Sequence, residues 1–266
     1  MSWAGGVVSE RATCVLAPNP GLMTLDGTNT WVLAEAGARR VVVVDPGPLL
    51  EEHLARVESV VSDGDRRVGL ILLTHAHADH AEASAEFAAR VRAPVRALDP
   101  TLQLGGEGLV DGDAVSMDGL ELRVVATPGH TADSLSFVLP AEAAVLTGDT
   151  VLGRGTSVVA HPDGRLADYL ASLRRLRALA ETAEVSTVLP GHGPVLADAH
   201  AVLDYYLAHR AERLDAVAAA VRAGDRTAAE VVRRVYVDVD SALWPAAELS
   251  VQAQLDYLRD PDAARP

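Results

Sequence analysis

The segment 74–80 carries the densest set of chemically capable side chains in the sequence: His75, His77, Asp79 and His80. Neutral imidazole and carboxylate groups together form the ligand set that suits zinc, iron and manganese. The segment follows the apolar run 68–73, which predicts a buried strand and places the polar side chains on the loop at its end. A His-rich solvated turn is the alternative. Four such side chains on one short loop favour a metal site.

Three later loops repeat the arrangement of a strand, a glycine-bearing turn and a histidine or aspartate. His130 and His192 each stand in a Pro-Gly-His turn, and Asp149 stands in a Gly-Asp turn; all three turns follow apolar runs. Each turn taken alone is more often only a turn. Because strand-end loops converge at one edge of α/β sheets, the four loops together predict a common site.

The elements that position these loops alternate between strand and helix patterns, with some strands in direct succession. The predicted strands are 13–17, 30–35, 40–45, 68–73, 95–98, 120–126, 135–139, 143–146 and 187–189. The predicted helices between them are 50–61, 81–92 and 166–180. This order indicates an α/β protein with mixed sheets covered by helices.

Beyond residue 200 the pattern becomes helical throughout. An apolar stripe predicts one long helix over 200–223, and a third helix is predicted over 250–258. Between them, Thr227 and Glu230 have the spacing of a capping box, which begins a helix reaching Val235. We therefore predict a catalytic domain over 1–199 and a helical module over 200–266.

The charge of the chain bears on its partners. Net charge is −14, and every basic residue is arginine, since the sequence contains no lysine. This acidity disfavours tight nucleic-acid binding, which depends on neutralising phosphates, although a metal site could still bind single-stranded RNA weakly. Alanine-, valine- and arginine-rich usage suggests a bacterial genome of high GC content. The C-terminal module is expected to form a wall over the active site or a dimer contact.

Nothing in the sequence indicates export or membrane insertion. The single cysteine, Cys14, has no partner for a disulfide and is predicted to be a small buried residue. Residues 1–17 lack the pattern of a signal peptide, and no apolar run approaches the ~18 residues needed to cross a bilayer. We therefore expect a cytoplasmic protein with no membrane partner.

The joint pattern of His and Asp residues resembles the dinuclear motif of the metallo-β-lactamase superfamily, over roughly residues 13–195. The resemblance implies a four-layer αββα sandwich with the metals at one edge between two mixed sheets. Segments 19–30 and 148–153 further resemble the branch called beta-lactamase-like protein 2. That branch carries a small helical, winged-helix-like C-terminal module, which matches the pattern beyond residue 200.

The resemblance also implies how the ligands divide between two metal ions. One ion would be held by His75, His77 and His130. The second would be held by Asp79, His80 and His192. Asp149 would bridge the two. Two Zn²⁺ are expected first, and iron or manganese would accept the same ligands.

The implied activity is hydrolysis of an ester, thioester or similar bond of a small or carrier-bound substrate by a metal-bridging hydroxide. Asp79 is the candidate catalytic residue, because it could orient the hydroxide or accept its proton. Members of the branch include single-strand endoribonucleases, so phosphodiester hydrolysis is the alternative. A non-catalytic metal-binding scaffold is a third, remote alternative. A homodimer is a further expectation.

Several residues depart from the family pattern or have weaker roles. Aspartate at 149 argues against the cysteine-ligated β-lactamases, and His77 argues against the redox di-iron members, which carry glutamate there.

Glu82 stands where members usually have glycine, so it could cap a helix or alter metal affinity. His161 is a candidate for lining the pocket. Other helical histidines are expected to be solvated: His53, His200 and His209.

Overall fold

The first sheet of the protein has six strands in sequence order. The computed structural model describes residues 2–260, and its first sheet comprises β1 (Gly6–Val7), β2 (Ala12–Leu16), β3 (Asn29–Leu33), β4 (Arg40–Val44), β5 (Arg67–Leu72) and β6 (Val95–Arg96). Strands β1 to β4 pair antiparallel, whereas β4, β5 and β6 pair parallel. The parallel connections run through helices, which are α1 (Glu51–Ser62), α2 (Ala78–Ala81) and α3 (Ser84–Val91).

The second sheet repeats this design with five strands. They are β7 (Ala114–Met117), β8 (Leu120–Ala126), β9 (Leu135–Leu139), β10 (Ala144–Gly148) and β11 (Thr187–Pro190). Helix α4 (Leu166–Glu181) connects β10 to β11, and these two strands are parallel. Strand β7 was not predicted, because its polar alternation is short and gives a weak period-two signal.

The two sheets pack face to face and helices cover their outer faces. Trp31, Leu33 and Phe137 belong to one buried cluster with side chains from both sheets. A second cluster joins the first sheet to α1 and α3, and a third joins the second sheet to α4. The valine run of β4 is buried on both faces, as expected for an inner strand between two layers. The predicted four-layer αββα sandwich is confirmed.

Three α-helices follow the second sheet within the described residues: α5 (Ala199–Arg222), α6 (Ala228–Val235) and α7 (Trp244–Arg259). The predicted capping box of Thr227 and Glu230 is present. Helix α7 begins six residues before the predicted start at 250, with Pro245 in its first turn, where a missing N–H costs nothing. Residues 261–266 of the predicted module lie outside the described residues.

The C-terminal helices have a small core of their own, which includes Val217, Val231 and Val251. The first half of α5 nevertheless packs on the sandwich, since Leu203 and Tyr206 belong to the same cluster as α4. Helix α5 thus extends from the sandwich into the helical module. The division at residue 200 remains a prediction.

Two buried side chains test the sequence interpretation. Cys14 is buried, as predicted, and burial raises the pKa of its thiol to about 12. The expectation that His53 is solvated is wrong, because it lies on the face of α1 that packs on the sheet, where its Nε2 contacts the Thr30 hydroxyl at 2.8 Å. Burial lowers its pKa to about 4, so the ring is neutral. Among residues 2–260, no helix combines the length and apolar character needed to cross a membrane.

Candidate metal centre

All seven predicted ligands meet at one edge of the sandwich. The 74–80 loop follows β5, the His130 turn links β8 to β9, and Asp149 and His192 follow β10 and β11. Their ligand atoms fall into two groups, each with its members within 4.8 Å of one another. The first group contains His75, His77, His130 and Asp149. The second contains Asp79, His80 and His192.

Within the first group, three ring nitrogens point at one another. His77 Nδ1 lies 3.0 Å from both His75 Nε2 and His130 Nε2. Ligand atoms around a tetrahedral ion with bonds of 2.0–2.1 Å stand about 3.3–3.4 Å apart. The observed spacing is therefore close to that of a ligand shell.

Within the second group, His80 Nε2 and His192 Nε2 are 3.3 Å apart. Asp79 Oδ2 lies 3.2 Å from His192 Nε2 and 3.4 Å from His80 Nε2. Three donors of the kinds that bind zinc, iron or manganese thus converge here too.

Asp149 lies between the two groups. Its Oδ1 is 3.4 Å from His80 Nε2, and its Oδ2 is 3.3 Å from His192 Nε2 and 3.8 Å from His130 Nε2. The Oδ1 atom is buried and has no hydrogen-bond partner among the described residues. A buried carboxylate oxygen without a hydrogen bond is costly unless a cation approaches it. The donor set therefore fits divalent metal.

Four of the five imidazoles have their outer nitrogen fixed by a neighbouring oxygen. His130 Nδ1 donates to Val158 O at 2.7 Å, and His192 Nδ1 donates to Gly27 O at 3.0 Å. His80 and His75 are held at Nδ1 by Asp45 and Thr74. With Nδ1 occupied in this way, each ring presents Nε2 inward, whereas His77 presents Nδ1.

Asp45 is a functional residue that the sequence interpretation missed. Its Oδ2 accepts from His80 Nδ1 at 2.8 Å and from the Thr74 hydroxyl at 2.7 Å, while its Oδ1 accepts from the Thr74 amide. The Thr74 hydroxyl also lies 2.9 Å from His75 Nδ1, so it links Asp45 to a second imidazole ring. The available signal was a strand followed by Asp-Pro-Gly, the same pattern that singled out the other loops.

The loop before β3 supplies further support. The Thr28 hydroxyl donates to Asp79 Oδ2 at 2.9 Å. Asn29, the first residue of β3, donates from its side-chain amide to Pro190 O and Gly193 O and so holds the loop that carries His192. Thr147 and Thr150 stand close to Asp149 in the sequence, but their hydroxyls donate to Val151 O and to the Thr127 hydroxyl.

Glu82 and His161 lie outside the cluster of ligands. Glu82 is exposed, and its Oε2 accepts from the Leu49 amide at 3.2 Å. His161 Nδ1 lies 3.2 Å from Asp256 Oδ2, and the residue lines a separate cleft beside α7. Neither residue contributes to the two groups of metal-ligand atoms.

In the metal-free site, the pKa is lowered for some of the clustered histidines and raised for others. Burial lowers the pKa of His75 and His130. Burial also opposes protonation of His192, but Asp149 and Asp79 outweigh it and raise its pKa to about 9. His80 behaves alike, because Asp149 and Asp45 outweigh its burial and raise its pKa. At pH 7 the imidazoles of His80 and His192 are therefore protonated in the metal-free protein.

Metal binding at this group should consequently release protons. A ligating imidazole must be neutral, so loading at pH 7 is expected to release about two protons, from His80 and His192. Because both pKa values are raised, metal affinity should increase as the pH rises from 7 through the His192 pKa of about 9. Titration calorimetry in buffers of different ionisation enthalpy measures the release. A value near zero at pH 7 would contradict this assignment.

A cavity of about 390 Å³ opens on His130 and Asp149. Its walls come from the loop before β3, which supplies Leu22 and Met23, from the segment 152–158 after β10, and from the C-terminal helical region. The expected wall over the site is therefore present. His209, predicted to be solvated, is half-buried in this wall because the C-terminal helices cover it.

The sequence profile described as "Metallo-beta-lactamase superfamily" matches residues 23–192, which include all seven predicted ligands. The chain belongs to this superfamily. A second profile, the beta-lactamase associated winged helix domain, matches residues 227–263. The superfamily fold and its donor set make the protein a metal-binding hydrolase.

Individual relatives refine the placement within the superfamily. The chain is 32% identical to a beta-lactamase-like protein 2 homolog of Caenorhabditis elegans, over 94% of this chain and 85% of the relative. It is 35% identical to an atrochrysone carboxyl ACP thioesterase of Aspergillus fumigatus, over 71% of this chain and 58% of that protein. A solved metallo-beta-lactamase family protein from Thermus thermophilus has the same fold, with a TM-score of 0.78, 24% identity and 93% coverage of both chains.

Proposed function

We propose that the protein is a dinuclear hydrolase of thioesters or esters of acyl substrates. The observation that carries the proposal is the cavity on His130 and Asp149, whose walls are mainly apolar side chains. A cavity beside a metal centre with a largely apolar lining and a few polar groups suits an acyl chain. The thioesterase name of the Aspergillus relative supports the same class of bond.

The proposed assignment follows the two groups of donor atoms. His75, His77 and His130 would hold one ion. Asp79, His80 and His192 would hold the other, with Asp149 between them. When bound, two divalent ions supply Lewis acidity, which polarises the scissile carbonyl and lowers the pKa of water. Zn²⁺ is the first candidate for both positions, and the same donors accept iron or manganese.

Asp79 is the proposed catalytic carboxylate. Burial raises its pKa, but His192 and His80 outweigh this effect and lower it, so the group is ionised at neutral pH. A carboxylate of low pKa holds a proton weakly, and so it is better suited to orient the attacking water than to store its proton. The Thr28 hydroxyl fixes one of its oxygens for this task.

Single-strand RNA cleavage is the alternative function. Nucleases that bind single strands stack bases on exposed aromatic rings along a basic groove. Tyr236 is the one phenylalanine, tyrosine or tryptophan among the described cavity-lining residues, and the guanidinium of Arg213 covers one of its faces at 4.8 Å from the ring centre. The cavity therefore offers little for base stacking.

A substrate panel tests the proposal. Protein purified without chelators is analysed for metal and assayed with acyl thioesters, aryl esters, lactones, a phosphodiester and short single-stranded RNA. We expect two metal ions per chain and turnover of thioesters or esters that is lost on chelation and restored by Zn²⁺, iron or manganese. Turnover confined to RNA or the phosphodiester would overturn the proposal.

A further inference from the structure

The cavity over the metal centre contains an uncompensated positive charge. Three arginines line it: Arg154, Arg210 and Arg213. Arg154 is neutralised by an ion pair with Asp26. Within residues 2–260, neither Arg210 nor Arg213 has a carboxylate within ion-pairing distance, although the chain as a whole carries a net charge of −14.

Arg210 is held in place but is not saturated. The residue is 7% exposed, donates to Ser157 O and lies over the Tyr169 ring at 4.8 Å from the ring centre. Its Nε is buried without a hydrogen-bond partner in the described chain. A buried cation with an unused N–H is costly unless an anion joins it.

Arg213 lies one helical turn further along α5 and faces the same cavity. Its Nη1 donates to Val235 O at 3.2 Å, which leaves other N–H groups of the fork available. His209 beside them stays neutral, because burial and the two arginines lower its pKa. The two guanidiniums therefore carry the positive charge of this wall.

We propose that Arg210 and Arg213 form a recognition site for a carboxylate on the acyl group of the substrate, remote from the bond that is cut. The guanidinium fork matches a carboxylate in geometry and charge, and the apolar walls would accommodate the chain between the two ends. This inference rests on the proposed function, because it names the class of acyl substrate which that site takes.

Matched substrates test the inference. Thioesters of ω-carboxyacyl chains, beginning with glutaryl, are compared with uncharged chains of equal length, beginning with valeryl. The wild type should favour the charged member about tenfold in kcat/KM, chiefly through KM. Arg213→Gln should bring the ratio near one by losing more kcat/KM on the charged substrate than on the uncharged one, and Arg213→Lys should retain part of the preference.

Arg222→Gln is the matched control, because Arg222 is an arginine on the same helix that does not line the cavity. It should keep the wild-type preference. Equal rates for both substrate types in the wild type would overturn the inference. So would an Arg213→Gln variant that loses activity equally on both, since that result indicates a purely structural role.

A binding measurement separates this inference from the proposed function. Anilinonaphthalene sulfonate and its uncharged analogue, phenylnaphthylamine, are titrated into the metal-loaded protein and followed by fluorescence. The sulfonate should bind more tightly to the wild type and to Arg222→Gln, but not to Arg213→Gln. This binding preference tests the recognition site directly, because it is measurable even if the protein hydrolyses no thioester. No preference for the sulfonate would overturn the recognition site while leaving the hydrolase proposal intact.

Discussion

Asp149→Asn is expected to reduce hydrolysis by about a thousandfold or more. The change keeps the shape of the side chain but removes the negative charge that lies between the two groups of donors. A metal site contributes several kcal/mol to the transition state, which corresponds to a loss of about this size when the site is disabled. Metal content per chain, measured on the same preparation, should fall below that of the wild type.

Asp215→Asn is the matched control for this change, because Asp215 lies on α5 away from the site. It should retain wild-type metal content and activity. Circular dichroism separates loss of the site from loss of the fold. Substrate hydrolysis that survives in a folded Asp149→Asn variant would show that the seven residues do not form the active site, or that a contaminating enzyme is present.

Asp45→Asn should weaken metal binding by about 10–100-fold, although Asp45 is not itself one of the seven ligands. An amide at this position presents an N–H where the carboxylate presents an oxygen. His80 Nδ1 would then have to accept, which moves its proton to the inward Nε2 and blocks the ligand atom. The backbone tolerates the change, because Asp45 has φ of 53° and asparagine adopts this conformation readily.

Affinity is measured by competition with a chromophoric chelator. Thr74→Ser keeps the hydroxyl that links Asp45 to His75 and should bind metal nearly as well as the wild type. Thr74→Val removes that link and should weaken binding. An Asp45→Asn variant with unchanged affinity would mean that the carboxylate has a structural role only.

Much of the metal centre was predictable from the sequence, for a local reason. Each ligand loop directly follows an apolar strand, and the ends of neighbouring strands meet at one edge of a sheet. Once the strands are located in the sequence, the approximate positions of His130, Asp149 and His192 follow, because each residue lies just beyond a strand end. The capping box at Thr227 was predictable for the same reason, since both of its hydrogen bonds are local.

Features that depend on packing between distant segments were not predictable. Asp45 follows a strand in the same way as the ligands, but its role depends on a contact with His80 across 35 positions of chain. His53 and His209 were expected to be solvated, because helical spacing alone does not say which layer covers a helix. Likewise, only the packing of α5 brings Arg210 and Arg213 to the cavity that opens on His130 and Asp149.

The sequence by itself determined the kind of chemistry, because ligand type and strand-end position are properties of short segments. Tertiary structure decided which nitrogen each histidine presents, because tautomers are fixed by acceptors such as Asp45, Gly27 and Val158 from other loops. It also decided the shape and charge of the cavity, since those come from helices far along the chain. Hydrogen-bond partners and cavity walls are non-local contacts, and a linear pattern does not encode them.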